Sequence, residues 1–101
     1  MLVEFSILPV GKGSSISDDV AKVLNIVDKS GLPYKINPMG TVVEGNWDDI
    51  MELIKKCHSI VLKGGERVVT SIKIDDRKKR RNMIERKVMS VEKRLHRSLK
   101  K

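Results

Sequence analysis

The chain has 101 residues, 40% hydrophobic and 34% charged, with a formal net charge of +8. That length and balance fit one domain able to bury a core and exclude a disordered chain. No apolar run approaches the ~20 residues that span a bilayer; Met1 to Phe5 lacks a secretory signal's basic-then-apolar pattern; and the single cysteine, Cys57, excludes an intrachain disulfide, so a cytoplasmic protein is expected.

Leu2 to Leu8 reads as a strand, with Val3, Phe5 and Ile7 on one side and Glu4 and Ser6 on the other. Pro9 is expected to end it, and Val10 to Ser15 forms a turn-rich loop. Ser17 suits a helix N-cap, with Asp18 and Asp19 in the first turn and Val20, Val23, Leu24 and Val27 as the buried face. Gly31 and Pro33 stop that helix.

Tyr34 to Asn37 and Thr41 to Glu44 read as two strands joined at Pro38-Met39-Gly40. Asn46 can cap a second helix whose apolar stripe is Ile50, Leu53, Ile54, Cys57 and Val61, ending at Gly64-Gly65. Arg67 to Asp75 is a β-branched run and reads as a fourth strand. A last helix is expected from near Asp76, with Ile84, Val88, Val91, Leu95 and Leu99 on one face.

The order β-α-β-β-α-β matches the split pattern of a ferredoxin-like sandwich, an α+β fold, here with an additional C-terminal helix. Residues 1–76 form the ferredoxin-like domain, and residues 77–101 a basic amphipathic helix packed on the same domain or on a neighbouring subunit. Two helices cover one face of the four-stranded antiparallel sheet. The other face, bearing Glu4 and Ser6, is either solvated or meets a subunit or a ligand.

The charge is unevenly spread. Residues 77–101 hold 12 Lys and Arg against two acids, a net of +10, so the preceding residues carry a net of −2. Opposite signs in one small protein suggest self-association as readily as nucleic-acid binding. The run Arg77 to Arg81 resembles a nucleic-acid patch. Yet aromatic residues are only Phe5, Tyr34 and Trp47, and Phe5 faces the core, so a base-stacking sheet is disfavoured. Cations at a helix N-terminus oppose the macrodipole, which makes Arg77, Arg80 and Arg81 candidates for holding an anion. Asp75 and Asp76 are candidate caps for the same helix.

Elsewhere the chemistry is sparse. Gly11-Lys12-Gly13-Ser14-Ser15 leads towards a helix N-terminus but lacks the spacing of a P-loop, so it reads as a turn before it reads as a ligand loop. Cys57 falls on an apolar stripe, and one cysteine with two separated histidines, His58 and His96, gives no metal-site spacing. Glu4, inside a strand, either faces water or a lysine such as Lys73, or lines a polar pocket.

The blocks Glu4-Phe5-Ser6-Ile7-x-Pro9-Val10-Gly11, Ser30-Gly31-Leu32-x-Tyr34, Pro38-Met39-Gly40-Thr41-x-x-Glu44-Gly45 and Ile72-Lys73-Ile74-Asp75-Asp76-Arg77 resemble the thiamine-binding protein family. The resemblance covers nearly the whole chain. It implies a ferredoxin-like fold, assembly into dimers and tetramers through the sheets, binding of thiamine or its pyrimidine part near a subunit interface, and no catalytic activity or cofactor. Thiamine is a cation with a hydrogen-bonding aminopyrimidine. Glu4, Ser6, Thr41 and Glu44 can supply acceptors and hydroxyl donors, and Met39 a polarizable wall. Neither Trp47 nor Tyr34 is placed to sandwich the ring. The expected function is therefore non-enzymatic binding of thiamine or a related aminopyrimidine by a homo-oligomer. The alternative is a basic nucleic-acid-associated protein acting through the last helix.

Overall fold

In a computed structural model, residues 1–11, 16–78 and 83–95 are described, and of Ile16, Met83, Arg86 and Lys87 only the backbone. The elements are β1 (Leu2–Val10), α1 (Ile16–Lys29), β2 (Tyr34–Asn37), β3 (Gly40–Glu44), α2 (Trp47–Lys63), β4 (Arg67–Asp75) and α3 (Met83–Leu95). The strands form one antiparallel sheet in the order β2-β3-β1-β4. This is the ferredoxin-like sandwich with an added C-terminal helix.

Residues directly opposite in an antiparallel pair share a face. Val3 is opposite Val43 and Ile74, Phe5 opposite Thr41 and Ile72, and Ile7 opposite Thr70. This is the face that α1 and α2 cover. Val3, Phe5, Val43, Val23 and Val27 join Ile50, Leu53, Ile54, Cys57 and Val61 in one core. The α2 stripe is buried as its spacing predicts, and Asn46 caps the helix, its side chain accepting the Asp49 N–H at 2.8 Å. Partly buried His58 reaches across to β4, with Nδ1 2.7 Å from Thr70 Oγ1. Cys57 Sγ lies 3.9 Å from the Val23 carbonyl oxygen of α1. Burial pushes its thiol up to about 11.

Three local expectations change. β1 does not stop at Pro9 but runs to Val10, paired with β4 in unbroken register from Leu2↔Asp75 to Val10↔Arg67. On α1, Asp19 turns inward with Val23 and Val27, whereas Val20 is exposed; residues 19, 23 and 27 form an i, i+4 row. Ser17 lies inside α1 rather than at its cap.

The third change concerns the last helix. Residues 76–78 are not helical, and α3 starts at Met83. Asp75 is the last residue of β4. At the start of α3 the Ile84 N–H is instead donated to Glu44 Oε1, at 3.5 Å. Glu44 lies opposite Leu2, and Lys35 opposite Val42. Both belong to the sheet face away from α1 and α2. A cavity of about 300 Å³ separates Lys35 from Ile84, Val88 and Met89. The helix thus lies over the β2–β3 side of the otherwise open sheet face. Leu99 and His96 fall outside the described residues.

Candidate functional site

The sheet is uneven, and its unevenness makes the site. β3 ends at Gly40, and its pairing with β1 reaches only Phe5↔Thr41. β1 continues to Val10 held by β4 alone among the described strands. Beside this overhang the β2–β3 turn and the N-terminal half of α1 stand apart, leaving a cavity of about 340 Å³. Its floor is Phe5, Ile7 and Thr41; its walls include Val20 and Leu24 from α1 and Ile36 and Met39 from the hairpin. Asn37 and Thr41 bring polar groups into a largely apolar lining, which Ser6 joins at its edge with its side chain turned, like that of Glu4, to the opposite sheet face. None of the described residues that line it has a titratable side chain.

Apolar side chains crowd the rim. Val20 is 45%, Ile36 53% and Met39 89% exposed. Such surface is ordinarily covered, by a ligand or by another chain. Gly40 holds the hairpin against β1: a Cβ on it would lie 3.1 Å from the Phe5 carbonyl oxygen and 3.5 Å from Glu4 Cγ.

The structure brings three of the five expected ligand residues together, since Ser6, Met39 and Thr41 all line this cavity. Glu4 is on the other sheet face, opposite Lys73, where a shallower depression of about 240 Å³ also touches Ser6 and Met39. Glu44 is apart from both and serves the start of α3. Arg77 is exposed in the segment before α3, and Arg80 and Arg81 lie outside the described residues, as does the Lys12 to Ser15 loop. Trp47 and Tyr34 stand away from the cavity, with the Tyr34 hydroxyl donating to Asp28 Oδ1 at 2.8 Å. That carboxylate raises the tyrosine's pKa.

Sequence reasoning missed Phe5 and Asn37. Phe5 has the spacing of a core residue and is one, but where β3 stops its buried side also faces the cavity. Asn37 could have been found from its place opposite Gly40 at the turn.

Among the described residues no group of His, Cys, Asp and Glu could hold a metal ion, and no helix is long and apolar enough to cross a membrane.

Comparison with known proteins agrees with this architecture. A UPF0045 protein of Methanocaldococcus jannaschii is 45% identical over 91 residues, covering 90% of this chain and 91% of its own. The UPF0045 protein YqgV of Bacillus subtilis is 34% identical over 100 residues, covering 93% of this chain and 96% of its own. A crystal structure of the Methanocaldococcus jannaschii protein superimposes with a TM-score of 0.82 at 46% identity, covering 89% of this chain and 93% of that one. A Thermotoga maritima protein, described as a candidate for thiamine biosynthesis or salvage, shares the fold with a TM-score of 0.78 at 22% identity, covering 89% of this chain and 96% of its own. The family model described as thiamine-binding protein matches residues 3–92. The chain belongs to the thiamine-binding protein family.

Proposed function

We propose that this protein binds thiamine or a related aminopyrimidine, without converting it, in the cavity between β1, the β2–β3 turn and α1. The observation that carries the reading is the meeting of Ser6, Met39 and Thr41 in one cavity of a chain that matches the family over residues 3–92. Its volume, about 340 Å³, falls in the range of small-molecule sites. Apolar walls suit the faces of a flat ring, and the Thr41 hydroxyl with the Asn37 amide suits its edge.

The same reading includes self-association through the sheet face away from α1 and α2, into dimers or tetramers. Val69 on that face, with Met89, Val91 and Leu95 on α3, exposes apolar surface that a second copy would cover.

Titration calorimetry with thiamine and its phosphates tests the binding. Saturable heat and a raised melting temperature are expected. Neither heat nor thermal shift at millimolar ligand would sink the reading.

A further inference from the structure

The edge of β1 that β3 leaves behind is part of the site. Met1 and Gly45 exchange two backbone hydrogen bonds, of 2.6 and 3.1 Å. In an antiparallel ladder such doubly bonded pairs recur at every second residue. Val3↔Val43 and Phe5↔Thr41 are therefore the next two, and odd-numbered residues of β1 turn both backbone groups towards β3. At Ile7 and Pro9 β3 is no longer there, while the unbroken β1–β4 register leaves their backbone groups on the vacated side. Pro9 fits this reading independently. Proline is tolerated in a strand where its missing N–H would face no partner, and Pro9 sits within the 9 residues of β1 that pair with β4 in unbroken register.

Ile7 lines the cavity, so its N–H and C=O border the space a ligand would fill. One residue of an extended strand offers a donor and an acceptor side by side. The complement is an amidine edge, a ring nitrogen that accepts next to an exocyclic amino group that donates. Apolar Ile36 and Met39 suit the ring's faces.

We infer that this cavity reads the amidine edge of an aromatic heterocycle through the Ile7 backbone N–H and C=O. The inference rests on the binding reading above and sharpens it. The aminopyrimidine ring carries the hydrogen bonds to Ile7.

The test uses the full chain and three probes in calorimetry: thiamine, 4-amino-2-methylpyrimidine, and 2,4-dimethylpyrimidine, in which a methyl replaces the amino group. The aminopyrimidine is expected to bind within about tenfold of thiamine. The dimethyl analogue should bind at least about tenfold more weakly than the aminopyrimidine, because it leaves the Ile7 carbonyl without a donor. The Ile7 amide proton should shift downfield in NMR spectra when the aminopyrimidine is added. Thiamine binding with no affinity for the aminopyrimidine, equal affinity for both pyrimidines, or an Ile7 amide unmoved at saturation would each overturn the inference and leave the binding reading standing. Absence of binding by all three probes would overturn both.

Discussion

Gly40 lies so close to Phe5 that a Cβ on it would stand 3.1 Å from the Phe5 carbonyl oxygen. The neighbour is backbone held in a ladder, so it can yield little. This contact fixes how near the β2–β3 turn sits to β1, and hence the width of the cavity between them. Gly40→Ala is expected to cost about 1–2 kcal/mol of stability by overpacking. It should also weaken ligand binding, by pushing Met39 and Asn37 outward. Urea unfolding and calorimetry on the same variant check both. An unchanged midpoint would show that the turn shifts freely.

The Glu44–Ile84 contact predicts a role for Glu44 in holding α3. The carboxylate accepts a backbone N–H from the first turn, as an N-cap would, but from another element. Glu44→Ala should cost about 0.5–2 kcal/mol and speed hydrogen exchange of the Ile84 amide. Glu44→Gln, which keeps the acceptor oxygen, should retain most of the protection. Equal exchange in all three proteins would separate Glu44 from the helix.

Cys57 gives a prediction with a defined sign. Its thiol, ordinarily near 9.0, is pushed up to about 11 by burial. A raised native pKa means the folded state holds its proton more tightly than the unfolded one. The stability this contributes is complete below pH 9 and is lost as pH rises through about 11. Wild-type stability should therefore fall more steeply between pH 9 and 11 than that of Cys57→Ala, measured by urea midpoints at several pH values. Parallel pH curves would contradict it. Consistently, a thiol reagent at pH 8 should label Cys57 only as the chain unfolds.

His58 and Thr70 tie α2 to β4 at 2.7 Å. Thr70→Val removes the hydroxyl at nearly constant shape and should cost about 1 kcal/mol, whereas Thr70→Ser should cost less. Thermal melts of the two variants decide this. A valine variant as stable as wild type would mean that water serves His58 equally well.

Much of this fold can be read from periodicity. The α2 stripe from Ile50 to Val61 and the β1 alternation of Val3 and Phe5 against Glu4 follow from burial of one face, which spacing encodes directly. What spacing misses depends on where neighbouring strands end. Pro9 reads as a terminator because sequence does not reveal that its ladder side is vacant. Phe5 reads as core because nothing local shows β3 stopping beside it. Glu44 reads as a ligand group because its partner, Ile84, is 40 residues away. Ser6, Met39 and Thr41 came from the family blocks, and the strand register shows that Thr41 shares the cavity face with Phe5 whereas the Glu4 and Ser6 side chains turn to the opposite face.

The most direct test of the central claim is a crystal structure of the full chain grown with saturating thiamine. The account predicts ordered density for the aminopyrimidine between Phe5, Ile36 and Met39, beside Thr41 and the Ile7 backbone. Density for the ligand on the opposite sheet face, against Glu4 and Lys73, with this cavity unfilled, would contradict it.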